Sequence, residues 1–313
     1  MAMETNKPAR SSSRRRALAV LLGGWRLMPE ALAAGDTGPP VRFAISESLV
    51  ATNVNINDAR VATRLWIDRV RLEVNATIDP KMFSTSQEIV DRCRRNELDM
   101  IVLNALEYRQ IANLLDPSQI VTATSEDGQE RYLILAKRNS PIRSLADLKG
   151  RRLIVLKNPK MCLAAAWLEG VLDEAHFGPP EQFFGSIATE TKCSKVVLPV
   201  FFGQADACLT SKAGFATMCE LNPQVGKELA VVATSPTVIT GFYIFRKDSP
   251  DAQKQKIVRA IANLRNGPGG QELAALFQFN GLTVRGPESL ATALNILDAA
   301  GLARARELAG GRK

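Results

Sequence analysis

Apolar positions in this chain follow two rhythms. Short runs with every second residue apolar predict strands, and recurrence every three or four residues predicts amphipathic helices. Val41 to Ile45 reads as a strand that empties into a loop, Ser46-Glu47-Ser48. From Asp58 to Val70 a helix places Ala62, Leu65, Trp66 and Val70 on one side, with Arg60, Arg64 and Arg69 mostly elsewhere. Leu72, Val74, Ala76 and Ile78 then alternate as in a strand. Ser84 with Gln87 and Thr85 with Glu88 form two overlapping capping boxes at a helix start. That helix ends at Asn96, and a strand begins at Asp99 and runs to Asn104.

Further strands are expected over Gln119 to Thr124 and Arg131 to Lys137, around a turn at Glu126 to Gln129. The stretch Ser144 to Leu172 organises the middle of the chain. It reads as a helical turn over Leu145 to Lys149, a break at Gly150, a strand over Leu153 to Leu156, a tight loop over Lys157 to Lys160, and a helix. Lys160-Met161-Cys162 opens this helix, which carries Leu163, Trp167, Leu168, Val171 and Leu172. A strand that empties through a short loop into a helix start leaves backbone N–H groups at the sheet's carboxyl edge, where small ligands bind. Next comes a helical stretch to Phe202, expected to break before Leu198 because Pro199 removes a hydrogen bond. Gly203 to Cys208 turns into a strand, Leu229 to Ala233 is another, and Gly241 to Arg246 a third. Helices are predicted over Ala252 to Leu264, Gly270 to Phe279 and, in one or two pieces, Ser289 to Leu308.

With 313 residues, 46% of them apolar, the chain has enough material for two α/β lobes with full cores. Residues 1–34 resemble an export signal: Arg14, Arg15 and Arg16 precede an apolar run from Ala17 to Trp25, and Ala31-Leu32-Ala33 supplies a cleavage site. Ser13-Arg14-Arg15 hints at twin-arginine export without the Phe that usually follows, so the export route stays open. Removing these residues takes away six Lys or Arg and two Asp or Glu, which lowers the formal charge from +8 to 34 − 30 = +4. That charge permits an anionic ligand, and no stripe of Lys and Arg interleaved with aromatics marks a nucleic-acid partner.

Five cysteines, Cys93, Cys162, Cys193, Cys208 and Cys219, with a single histidine, His176, argue against a zinc site. A disulfide is open in an exported chain, with no pairing readable. The lone histidine sits at a predicted helix end, and no nucleotide loop, nucleophile elbow or metal set accompanies it, so no enzyme and no cofactor are implied.

Several phrases, taken in order, resemble the type 2 periplasmic solute-binding proteins of ABC importers, and among them the phosphonate-binding branch. They are Ser144-Leu-Ala-Asp-Leu-Lys-Gly-Arg-Arg-Leu153, the turn Gly203-Gln-Ala-Asp-Ala-Cys208, and the Ser235-Pro236 segment. The resemblance spans roughly residues 41 to 285. It implies a two-lobe α/β fold, each lobe a mostly parallel sheet flanked by helices, with two crossings that act as a hinge. The crossings would be Tyr132 to Ala136 and Gly241 to Arg246. Lobe one would hold residues 41–133 and 243–288, lobe two 134–242, and residues 289–313 a helical tail.

It also implies a ligand cleft. Ser46, Ser48, Thr85, Ser86, Asn104 and Tyr108 would face it from one lobe, and Asn158, Lys160, Met161, Cys162, Asp206 and Ser211 from the other. Several have a purely structural alternative: Thr85 and Ser86 as caps, Tyr108 as a packed aromatic, Asp206 as a support for the backbone between lobes. The family's Ser/Thr-rich anion turn is replaced here by Asn158-Pro159-Lys160-Met161, where Lys160 offers a full positive charge that opposes the helix dipole. The implied partners are a small anionic solute and an inner-membrane ABC permease, the implied location is the periplasm, and the protein is expected to act as a monomer. Lys160→Ala should then weaken binding of an anion. A second class is an exported interaction module of the same fold that has lost its small ligand and docks on a periplasmic enzyme or sensor.

Overall fold

The computed structural model describes residues 40–50, 56–74, 77–123, 129–263, 271 and 281–310. Two sheets organise the chain. The first has the order β13-β4-β12-β3-β1-β2, built from β1 (Val41–Ser46), β2 (Ile78–Phe83), β3 (Met100–Leu103), β4 (Leu115–Ala123), β12 (Phe242–Arg246) and β13 (Leu282–Arg285). The second has the order β10-β6-β9-β7-β8, from β6 (Tyr132–Lys137), β7 (Arg152–Leu156), β8 (Ser186–Glu190), β9 (Ala207–Ser211) and β10 (Leu229–Thr234). Parallel pairing holds in the half of each sheet where strands alternate with helices, β3-β1-β2 and β9-β7-β8. Strands next to the crossings pair antiparallel.

The crossings themselves lie outside both sheets. β5 (Gln129–Glu130) and β11 (Val238–Ile239) form a separate antiparallel ladder, Val238 opposite Glu130 and Ile239 opposite Gln129. The expected crossing strands sit elsewhere: β6 pairs entirely within the second sheet and β12 entirely within the first. A run as apolar as β6, buried at Tyr132 through Ala136, needs cover on both faces, and a bridge between lobes would leave it wet. Beside the ladder, the Ser235 hydroxyl accepts from the Tyr132 N–H at 2.8 Å and donates to the Pro236 carbonyl at 2.8 Å.

Among the boundaries that differ from the sequence expectation, three bear on the core or the site. Leu72 and Val74 belong to a helix, Ile56–Val74, because Trp66, Val70 and Val74 continue a spacing of four; the strand starts later, at Ile78. Its Pro80 is tolerated because β2 is an edge strand. The helix Cys193–Phe201 runs through Pro199 instead of breaking before Leu198. Fully buried Val196, Val197 and Val200 hold it, and the Pro199 carbonyl accepts the N–H groups of Gln204 at 2.7 Å and Ala205 at 3.2 Å. Finally, the helix after β7 begins at Ala164; Pro159–Met161 forms a separate 3-10 turn.

The helix Asp251–Asn263 packs into the first core through Ile257, Val258, Ala260 and Ile261, as expected, while the next predicted helix, Gly270 to Phe279, lies outside the described residues except for Gln271. The C-terminal helix Ala291–Gly310 leans on both lobes. Ala293, Ile296 and Ala300 join the second core, and Leu294 packs on the first. Arg304 donates to Glu169 of the second lobe at 2.8 and 2.9 Å, and Asp298 pairs with Arg109 of the first. A side chain at Gly170 would meet Ala299 at 3.3 Å, tighter than ordinary contact, so the two helices approach closely there. All five cysteines are free thiols, and no described helix is long and apolar enough to cross a membrane.

Candidate functional site

Ligands of open α/β sheets gather where the carboxyl ends of the strands meet helix starts. Here such ends from both sheets face one another. The short helix Glu47–Val50, after β1, contacts the Pro159–Met161 turn after β7. Ala105, after β3, packs within the second core, and the charge of Glu107 reaches the Cys162 thiol. These contacts place the Ser46 to Glu47, Asn104 to Glu107 and Asn158 to Cys162 segments around one space between the lobes.

Local chemistry decides how each side chain enters that space. Asn104 caps the helix Ala105–Ile111, its Oδ1 accepting the N–H groups of Leu106 at 2.9 Å and Glu107 at 3.1 Å. In return, Glu107 Oε2 accepts the Asn104 N–H at 2.8 Å, which completes a capping box. Thr85 caps the helix Ser86–Arg94 by accepting from Glu88 N–H at 3.3 Å, and Ser86 bonds the Glu107 carboxylate. Asn158 accepts the Met161 N–H at 3.2 Å, and Ser211, at the end of β9, accepts the Gly214 N–H at 3.0 Å. Each of these caps uses the side-chain oxygen as acceptor; the hydroxyl hydrogen or amide NH2 keeps its own donor capacity.

The remaining predicted residues divide. Ser46 is buried at the end of β1. Ser48 lies in the helix Glu47–Val50, and its side chain is outside the described residues. Glu47 ties this helix down by accepting from Ser84 at 3.0 Å and pairing with Arg60. Lys160 sits partly exposed in the 3-10 turn, and Cys162 follows it. Burial pushes the Cys162 thiol up to about 11; the Tyr132 hydrogen bond opposes that rise and the Glu107 charge adds to it.

Three predicted residues are engaged in a core or in an ion pair. Tyr108 is buried in the first core, edge-on to Phe242 at 5.8 Å. Met161 is buried in the second core. Asp206 stands at the opposite end of the second sheet, accepting from the Arg152 N–H at 2.9 Å and its Nε at 3.1 Å. That guanidinium holds the Asp206 carboxyl below its ordinary value. Asp206 precedes β9 while Ser211 ends it, so the length of the strand separates the two.

Sequence reasoning passed over three residues here. Tyr132 is fully buried, and its hydroxyl donates to the Lys160 carbonyl and accepts from the Leu163 N–H, both at 3.2 Å. It thereby bridges the gap between the 3-10 turn and the helix. Glu107 and Glu130 are buried carboxylates, 2% and 4% exposed, each with one oxygen lacking a hydrogen-bond partner. Burial pushes the Glu107 carboxyl above its ordinary value, against the hydrogen bonds from Ser86 and the Asn104 backbone. The signal for Glu107 was present: an acid at the third position after Asn104 is a capping-box acid, and it is flanked by apolar residues.

A family model described as the periplasmic substrate-binding protein of phosphonate ABC transporters matches residues 46–285. No curated protein matches the chain. Among solved structures, XAC2383 from Xanthomonas citri, bound to ATP, is 15% identical with a TM-score of 0.62, covering 84% of this chain and 98% of its own. A binding-protein component of an ABC phosphonate transporter from Pseudomonas aeruginosa is 14% identical with a TM-score of 0.57, covering 85% and 88%. PhnD1 from Prochlorococcus marinus, in complex with methylphosphonate, is 15% identical with a TM-score of 0.57, covering 82% and 96%. At these identities the structures show a shared two-lobe fold.

Proposed function

The chain belongs to the family of periplasmic substrate-binding proteins of phosphonate ABC transporters, and from that premise we propose that it captures a small solute carrying an anionic group, phosphonate-like or another organic anion, between its two lobes. The family consists of binding proteins rather than enzymes, working with a small solute and a membrane permease. In our reading residues 1–34 direct export and are removed. The mature protein, acting as a monomer, closes on the solute about the β5–β11 ladder and offers the closed form to its inner-membrane permease.

One observation carries this reading: strand ends from two separate sheets meet at a single inter-lobe space, the helix after β1 contacting the turn after β7 and Ala105, after β3, packing within the second core. In the proposed site Ser46, Ser48, Thr85, Ser86 and Asn104 contribute donors from the first lobe. Asn158, Lys160, Cys162 and Ser211 contribute from the second. Lys160 supplies the positive charge for the anion, in place of the hydroxyls the family carries at this turn.

Native mass spectrometry of the protein purified from its own periplasm, with thermal-shift screening of phosphonates, phosphite, sulfonates and small carboxylates, tests it. A bound small mass, or a large shift with one anion class, is the expected result. An empty cleft without any shift, together with a co-purifying protein, would overturn it in favour of an interaction module of the same fold. The Asn158 to Met161 departure from the family's hydroxyl-rich turn is the feature that favours that second reading.

A further inference from the structure

We infer that the C-terminal helix Ala291–Gly310 rides with the second lobe, and that the ion pair between Asp298 and Arg109 is a latch, made while the lobes stand as in this structure and broken when they part. The inference rests on the proposed closure about the β5–β11 ladder. It adds residues that set the balance of that closure without touching the solute.

The chain reaches this helix from the first lobe. β13 pairs with β4 in the first sheet, and the 3-10 turn Pro287–Leu290 follows, with Leu290 buried in the first core. From there the helix joins the other lobe. Ala293, Ile296 and Ala300 are buried in the second core, and Leu297 packs against it. A Cβ at Gly170 would meet the Ala299 Cβ at 3.3 Å, and Arg304 clasps both oxygens of Glu169, at 2.8 and 2.9 Å. Toward the first lobe the helix offers less. Leu294 packs on its core only partly buried, and Asp298 pairs with Arg109, the two side chains 55% and 48% exposed.

A motion that turns one lobe against the other has to slip along one face of this helix. Interdigitated apolar side chains resist sliding along their whole contact, whereas an exposed ion pair parts with little loss. The slip plane is therefore the first-lobe face, and the pivot is the junction between Leu290, held in the first core, and Ala291, where the helix begins. Asp298 and Ala299 are successive residues with one lobe against each, so such a slip carries the Asp298 carboxylate away from Arg109.

The same coordinates fix which arrangement the latch supports. The lobes meet across the cleft here, the helix Glu47–Val50 contacting the Pro159–Met161 turn and Ala105 packing within the second core. The pair is made in this approached arrangement, and its loss favours the parted one. An exposed ion pair shifts such a ratio by about two- to fivefold.

X-ray scattering of the ligand-free full chain at low salt, with isothermal titration against methylphosphonate, tests this. Arg109→Ala and Asp298→Ala should each enlarge the radius of gyration and weaken methylphosphonate binding about two- to fivefold. Arg109→Asp combined with Asp298→Arg should bring both quantities back toward those of the unaltered chain. Glu169→Ala breaks the other exposed pair of the helix, within the body that moves as one, and should change neither. Unaltered radius and affinity in both single alanine variants, or an equal effect from Glu169→Ala, would overturn the latch and leave solute capture standing. The scattering needs no ligand. If methylphosphonate and every other anion fail to bind and native mass spectrometry finds an empty cleft, solute capture falls, while the radii still decide the latch.

Discussion

Two turns face each other between the lobes, and both open on an asparagine. Asn104 begins the helix Ala105–Ile111 and Asn158 begins the 3-10 turn Pro159–Met161. The first is a closed capping box whose acid, Glu107, is driven into the interior. The second has no acid three residues on; Met161 occupies that position, a lysine sits before it, and a tyrosine from β6 finishes the turn. One turn thus places a buried carboxyl group beside the cleft, and its counterpart places a lysine. The contrast shows how a single local device, the asparagine cap, serves opposite electrostatics depending on which residue stands at the third position.

The largest way to break this comparison is Tyr132→Phe. The substitution leaves the Lys160 carbonyl and the Leu163 N–H without their shared partner, which should cost about 1–3 kcal/mol in urea denaturation. A loss indistinguishable from zero would mean that the second turn stands without the bridge.

Next in size is removal of each cap. Asn104→Ala should cost about 0.5–2 kcal/mol, and Asn158→Ala should fall at the lower end of that range because it caps a three-residue turn through one bond. The reverse order would erase the distinction drawn between the two turns.

The acid itself yields a pH signature that the second turn lacks. Burial raises the folded-state pKa of Glu107 above its unfolded value. The stability associated with its proton is therefore fully present below the ordinary glutamate range and is lost as pH rises through the raised folded value. Glu107→Gln should flatten that part of the stability profile, read as thermal midpoints from mildly acidic to neutral pH without ligand. An unchanged profile would show that Glu107 titrates normally in the folded protein.

The smallest effect concerns the far end of the second sheet. Asp206→Asn should leave solute affinity unchanged within about twofold, since Arg152 holds this carboxylate a strand's length from Ser211. Its lowered pKa gives the opposite sign: stability present above the ordinary aspartate range and lost as pH falls through the depressed value. A marked loss of affinity would return Asp206 to the site.

Local pattern alone determined a good share of this protein. The alternation from Val41 to Ile45, the helix end at Asn96, the turn at Gly203, the cap at Thr85 and the strand–loop–helix course through Leu153 and Leu172 are all visible in short windows. Their physics is short-range, a matter of side-chain periodicity and of backbone groups seeking partners a few residues away. Tertiary structure decided what short windows cannot contain. It extended the helix to Val74, carried another through Pro199 on buried valines, and moved the crossing from β6 to a two-residue ladder. It also sent Tyr108 and Met161 into the cores and buried Glu107, Tyr132 and Glu130. Burial of a carboxylate depends on what the other lobe lays over it. Glu107 and Cys162 are 55 positions apart in the chain, and only the folded backbone makes them neighbours.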